Sequence, residues 1–213
     1  MEHKSDRLGT PLAAGIAGFV FAVLMAVVII LTRLALPAGG GTDSLALDPG
    51  QRRAARVALA VLPFAGIAFL WFMGALREQA GAAEDRFVST VFLGSGLVFV
   101  ATLFAGAAAA GTVLNETQQQ FSSFGRHFAY DLLTTYAMRM AAVFMFTTSS
   151  IGRRIGVFPR PLVALGYLAG VTLLVTGAAL PWGELVFPGW ALIVSMSILR
   201  SLHHTHSRPA GRA

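Results

Sequence analysis

The 213-residue chain contains no cysteine and very little charge of either sign. Without cysteine there is no disulfide, no thiolate nucleophile and no cysteine-ligated metal or iron–sulfur site. Charged residues make up 12% of the chain, about half of their share in an average soluble domain. This shortage, beside a hydrophobic content of 55%, indicates a protein of the lipid bilayer rather than a water-soluble globular domain.

Lysine is almost absent as well. Of 16 basic residues only Lys4 is a lysine, and the formal net charge is +6. A basic balance suits nucleic-acid binding in a soluble protein, but in a membrane protein loop arginines set the orientation. We favour the second interpretation and predict no nucleic-acid partner. The preference for arginine, alanine and glycine over lysine suggests a bacterial source, and hence the bacterial inner (plasma) membrane.

Motifs that mark common enzyme classes are missing from the sequence. It has no P-loop, no HExxH zinc helix and no GxSxG nucleophile elbow. The histidines of "HHTH" near the C-terminus have no further ligand type beside them, and we interpret them as a solvated tail. We therefore predict a protein that is not an enzyme and has no catalytic residue, cofactor or metal. A membrane-embedded enzyme is the third of three functional hypotheses.

Long apolar runs are what the sequence does contain. A run of about 20 residues crosses a hydrocarbon core of about 30 Å. The first run is too long for a signal-peptide core, so we interpret it as an uncleaved span. The last is the weakest, because Pro188 and Gly189 fall in its first turns. The pattern predicts an all-α polytopic transmembrane helical bundle, a single domain over residues 1–213, with six membrane-spanning helices near 12–36, 54–76, 87–114, 128–151, 161–180 and 184–202.

The loop charges predict the orientation of these spans. With the N-terminus in the cytoplasm, ten basic residues lie on the cytoplasmic side and five on the other. Cytoplasmic loops carry the excess of arginine and lysine in most membrane proteins. The cluster of Arg52, Arg53 and Arg56 is the main contrary signal. We expect both termini to be cytoplasmic.

Small residues and one proline predict how the helices pack. Ala14 and Gly18 share a face of the first run, and Gly166 and Gly170 form a GxxxG pair in "GYLAG". Such faces let two helix backbones approach closely, either within one chain or between chains. Pro63 lies in the middle of the second run, where it removes a backbone donor and predicts a kink.

One apolar run contains both a cation and an anion. In "YDLLTTYAMRMAAVFMF", Arg139 lies near mid-span, where insertion scales assign an arginine a cost of roughly 2.5–3.5 kcal/mol. Asp131 lies eight residues earlier, which in an uninterrupted α-helix turns it by about 80° from Arg139 and excludes a direct ion pair. Asp131 also suits the first turn of its helix, and His127 is spaced to pair with it. Arg139, Asp131 and His127 form the candidate intramembrane polar site. Arg139 is either a structural arginine or a contact for a substrate, an ion or a lipid head group.

The sequence supports a first functional hypothesis by elimination. Without a catalytic constellation, we expect a non-catalytic helix bundle that acts as an accessory, assembly or signalling partner in the membrane. The alternative is a small transporter or channel that uses a polar site around Arg139. Beyond the lipid bilayer, the expected partners are a second copy of the chain or another membrane protein.

Overall fold

The computed structural model describes residues 6–35, 48–80, 86–115, 125, 128–176 and 182–206, and these residues form helices and turns without a strand. The six α-helices of this part of the chain are α1 (Asp6–Ala35), α2 (Pro49–Ala80), α3 (Arg86–Asn115), α4 (Ala137–Arg154), α5 (Arg160–Thr176) and α6 (Val186–His206). A π-helical turn, Leu132–Tyr136, leads into α4, and a 3₁₀ turn, Gly183–Leu185, leads into α6. His127 lies outside the described residues.

Four helices are long and apolar enough to cross a membrane. The candidate segments are Leu12–Ala35, Pro49–Ala80, Arg86–Thr112 and Gly183–Ser201. Among the others, α5 is apolar but has 17 residues, and α4 carries three arginines in 18 residues. The predicted all-helical architecture and membrane character are confirmed at this level. Six crossings and cytoplasmic termini stay predictions.

The outer face of α1 shows why the bundle suits a bilayer. Its exposed large apolar residues recur every three or four positions: Leu12, Ile16, Phe19, Val20, Val23, Val27, Ile30 and Leu34. In water such a continuous apolar stripe on an outer helix is unfavourable, whereas in a bilayer it faces hydrocarbon.

The start of α2 follows from local sequence. The backbone carbonyl of Asp48 accepts from the amide of Arg52 at 2.9 Å, and the Gln51 side chain accepts from the amide of Asp48 at 3.0 Å. Pro49 occupies the first helical position, where its missing N–H is not needed. The helix continues through Pro63, and the predicted kink there stays a prediction.

Five phenylalanines from five helices meet at the centre of the bundle. Phe21, Phe69, Phe99, Phe144 and Phe187 are each 0% exposed. Their ring centroids lie 4.9–6.4 Å apart in mostly edge-to-face pairs, which is the favourable range for aromatic contacts. This cluster marks the mid-depth of the bundle, because Phe99 lies midway along α3.

The last helix therefore begins inside the bundle. Phe187 is the second residue of α6, yet its ring lies 5.0 Å from that of Phe99. Pro188 is accommodated because the backbone N–H groups in the first turn of a helix have no partner within the helix, so the N–H that proline lacks is not needed. Sequence reasoning placed Glu184 in the tight "PWGE" turn, and the structure has a 3₁₀ turn at this point, but the burial of the side chain was not predicted. Glu184 is buried beside the start of α6, at 6% exposure.

The small residues named from the sequence lie at close helix contacts within this chain. Ala14 and Gly18 are buried, and a Cβ on Gly18 would meet Phe72 of α2 and Ser195 of α6. A Cβ on Gly166 would meet Ser149 of α4, and one on Gly170 would stand 3.1 Å from the ring of Phe146. Of the two options, these contacts correspond to packing within one chain.

Candidate functional site

A cavity of about 150 Å³ lies between α1, α2, α3 and the helical segment before α4. We call the end of the bundle where α1 ends and α2 begins the distal end. The cavity occupies the distal half of the bundle, between the distal end and the start of α6. Its walls are mostly apolar and include Met25, Leu62, Leu103 and Met138. Tyr130 also lines the cavity and is 41% exposed, so the cavity reaches the bundle surface beside it.

An ion pair borders this cavity. Nη2 of Arg33, in the last turn of α1, donates to Oε1 of Glu184 at 2.5 Å. The two side chains are 15% and 7% exposed. A pair this buried is held by mutual charge and hydrogen bonding, since either charge alone in an apolar interior is costly. Arg33 and Glu184 are 151 residues apart in sequence.

The turn before α6 places Glu184 in the cavity wall. Trp182 adopts a left-handed conformation with φ of 64°, and its carbonyl accepts from the amide of Leu185 at 3.0 Å. The chain thus turns tightly into α6, and Glu184 lies in the 3₁₀ turn directly before its first residue. There the positive end of the helix dipole favours a carboxylate.

One oxygen of Glu184 has no partner in the described part of the chain. Oε1 is bound by Arg33, but Oε2 is buried without a hydrogen bond. The three hydroxyls that line the cavity, those of Thr32, Tyr130 and Thr134, do not supply one. Thr32 donates to the carbonyl of Val28, and Thr134 donates to the carbonyl of Tyr130, each at 2.8 Å. The cavity wall therefore holds a strong acceptor whose donor is not among the described residues.

The π-turn supplies one wall of the cavity. The amide of Ala137 bonds to the carbonyl of Leu132, five residues back instead of four. Such a turn inserts one residue into an α-helix and is frequent at functional sites. Leu133 and Thr134, inside the turn, and Met138, just after it, all line the cavity.

Arg139 does not line this cavity. Its side chain is exposed on the outside of α4, and within the described residues it makes no hydrogen bond or ion pair. Tyr136, one turn earlier, is 57% exposed, and Asp131 is exposed as well. The pairing of Asp131 with His127 lies outside the described residues.

The π-turn changes the relation between Asp131 and Arg139. The estimate of about 80° assumed an uninterrupted α-helix. One inserted residue removes about 100° of rotation, which leaves the two residues about 20° apart on one face, as if spaced seven apart. They are still about 10 Å apart along the axis. We call Asp131, Tyr136 and Arg139 the α4 stripe.

Sequence reasoning missed the Arg33–Glu184 pair. It considered a carboxylate partner for Arg139 only, and it placed Arg33 at the outer end of the first span and Glu184 in the tight "PWGE" turn. The available signal was Glu184 itself, because it lies four residues before Pro188 in an otherwise apolar segment. A short hydrophobic segment interrupted by Pro and Gly is a sequence sign of a helix that begins within a membrane.

No protein-family model matches the chain, and neither a curated protein nor a solved structure matches it. Functional inference therefore rests on the geometry of the cavity and of the α4 stripe.

Proposed function

We propose that the chain is a multi-pass membrane protein, with six crossings, that acts as a non-catalytic accessory subunit. The α4 stripe is its docking surface. The partner is another membrane protein that offers a helix with a carboxylate or another strong acceptor at the depth of Arg139. The observation that carries the proposal is the exposure of Arg139 on the outside of the bundle.

The argument begins with the depth of Arg139. Arg139 lies within the helical residues 128–154, with 11 of these residues before it and 15 after it. If this segment crosses the bilayer, Arg139 faces hydrocarbon in the isolated chain, at a cost of roughly 2.5–3.5 kcal/mol. A partner helix with an acceptor offsets that cost, because hydrogen bonds between helices are favourable where water is absent.

The composition of the stripe defines the partner further. Arg139 points back toward the start of its helix, as long side chains in helices do, so its guanidinium lies near the level of Tyr136. Asp131 lies about two turns nearer the distal end. The complementary partner surface therefore carries an acceptor near mid-depth and a donor or cation nearer the distal end.

Site-specific photo-cross-linking in native membranes tests this proposal. A benzoylphenylalanine at Tyr136 should give one discrete product with a second protein. The same group at Leu168 of α5, which is 66% exposed and apolar, is the matched control and should give none. Arg139→Leu should abolish the Tyr136 product, and Arg139→Lys should retain part of it, because a lysine keeps the charge but not the planar fork.

Two results would overturn the assignment. A product of twice the chain's mass would make the partner a second copy and not another protein. Equal products from Tyr136 and Leu168 would indicate random encounters in the bilayer.

A small transporter is the second candidate. It is favoured by the start of α6 inside the bundle, because transporters with discontinuous helices bind their substrates at helix ends within the membrane. Flux of a substrate in proteoliposomes that is lost in Glu184→Gln but kept in Arg139→Leu would support it. Flux that depends on Arg139 would instead support a polar route along the α4 stripe.

A further inference from the structure

The cavity beside Glu184 has the features of a ligand site that is separate from the α4 stripe. Glu184 is 6% exposed, and its Oε2 is an acceptor without a donor in the described residues. Buried polar atoms are nearly always hydrogen-bonded, and leaving a charged one without a partner is unfavourable. A ligand of this cavity that carries a hydrogen-bond donor would supply the partner that the described residues do not.

The Arg33–Glu184 ion pair indicates that the ligand is uncharged. Arg33 already neutralises Glu184 at 2.5 Å. A cation placed against Oε2 would meet the guanidinium of Arg33 at close range, and an anion would meet the carboxylate. In a medium of low dielectric constant either encounter is strongly unfavourable. A neutral group that donates one hydrogen bond avoids both.

The apolar walls of the cavity indicate that the remainder of the ligand is apolar. Beyond Glu184 the cavity continues between Met25, Leu62, Leu103 and Met138. A single water would satisfy Oε2 but would leave the apolar remainder of the 150 Å³ unfilled, and apolar cavities of this size bind apolar molecules in preference to water. The surface opening beside Tyr130 gives a molecule dissolved in the membrane a way in.

We propose that the cavity binds an uncharged amphiphile, a lipid-like alcohol, whose hydroxyl donates to Oε2 of Glu184. The first part of its apolar chain fills the cavity between α1, α2, α3 and the π-turn, and the remainder leaves it beside Tyr130. Thr134 accepts no hydrogen bond in the described structure and offers its oxygen as a second contact for the same head group. The site is independent of the accessory role, because none of the α4 stripe residues lines it.

The test uses two photoreactive probes on the purified full-length protein in lipid nanodiscs. One is a diazirine-labelled hexadecanol, and the other is its methyl ether, which lacks the donor. A hydrogen bond to a charged group is worth about 1.5–3 kcal/mol, so the alcohol should label the protein at least about tenfold more efficiently than the ether. The labelled peptides should come from the cavity walls.

Two variants separate binding from folding. Ala58→Phe places a ring in the cavity wall, where Ala58 is buried, and should abolish labelling while leaving the ion pair intact. The double variant Arg33→Met/Glu184→Leu removes the acceptor and both charges, and should label equally with alcohol and ether. Glu78→Gln, on the exposed surface of α2, is the matched control and should behave as wild type.

Competition then distinguishes the sources of the hydroxyl. Dioleoylglycerol competing with the alcohol probe would assign a glycerolipid, and farnesol competing would assign an isoprenoid alcohol. Equal labelling by alcohol and ether in the wild type, labelling outside the cavity, or competition by neither lipid would overturn the proposal. A failure of cross-linking at Tyr136 would leave this result unaffected.

Discussion

Arg33 and Arg139 are both arginines in mostly apolar helices, but they differ in burial and in pairing. Arg33 lies at the end of α1 and is buried against Glu184, a residue from the other end of the chain. Arg139 lies within a helix and is exposed on the outside of the bundle. The difference separates two roles for a membrane arginine. One is paired within the bundle, and the other is exposed on the outside, where we propose that a partner binds it.

Among the variants that test this comparison, the removal of Glu184 should lower the stability of the protein most. Glu184→Leu leaves Arg33 buried without its partner, and breaking a buried pair costs about 3–5 kcal/mol. We expect a clearly lower thermal unfolding midpoint in detergent and a poor yield of folded protein. Glu78→Leu, on the exposed surface of α2, serves as the control.

The double variant Arg33→Met/Glu184→Leu sharpens that result. Replacing both partners by apolar residues leaves no buried charge and should restore most of the stability. A double variant as unstable as Glu184→Leu alone would contradict the coupling of the two residues.

Deletion of Thr135 should have an intermediate effect. It converts the π-turn into ordinary α-helix and rotates the preceding residues by about 100° relative to α4. Thr134 and Leu133 would leave the cavity wall, and Asp131 would leave the face of Arg139. We expect a loss of about 2 kcal/mol in the free energy of unfolding.

The point substitution Thr135→Ala keeps the turn and is the control for this deletion. Circular dichroism and thermal unfolding in detergent would compare the two variants. Equal stability of the deletion and the substitution would show that the π-turn does not position the cavity wall.

Arg139→Leu should have the smallest effect on the isolated chain. Arg139 makes no contact with the described residues that the substitution would remove, and exposed substitutions change stability by about 0.5 kcal/mol or less. The thermal midpoint in detergent should stay near that of the wild type, while assembly in native membranes decreases. A loss of stability as large as that of Glu184→Leu would mean that Arg139 is held inside the chain, and the contrast between the two arginines would disappear.

Much of the architecture follows from the sequence alone. Apolar runs of span length predict helices, and "LDPG" predicts the start of α2, because capping and proline geometry are local. The contacts of Gly18 and Gly166 also correspond to simple spacing rules. These features depend on residues near one another in the chain.

The candidate site depends on features that periodicity does not encode. The π-turn adds one residue to a helix, and nothing in "LLTTY" distinguishes it from α-helix. The partner of Arg33 is 151 residues away, and its depth depends on where α6 begins. Sequence reasoning placed Glu184 in a tight turn at the start of the sixth span without predicting its burial, and it treated the Pro188-Gly189 pair as the sign of a weak span. In the fold that pair lies in the first turn of a buried helix.

The separation of Arg33 and Glu184 along the chain also has a consequence for biosynthesis. Ribosomes add about 5–20 residues per second, so Arg33 exists for about 8 to 30 seconds before Glu184, 151 residues later, is made. During that interval α1 and α2 can pair, but the arginine at the end of α1 lacks its carboxylate. The arrival of α6, which packs against α1 at Gly18 through Ser195, supplies it. The ion pair can therefore form only when α6 packs, which makes this packing the last step of assembly. A chain that stops before Glu184 keeps the charge of Arg33 without a carboxylate partner.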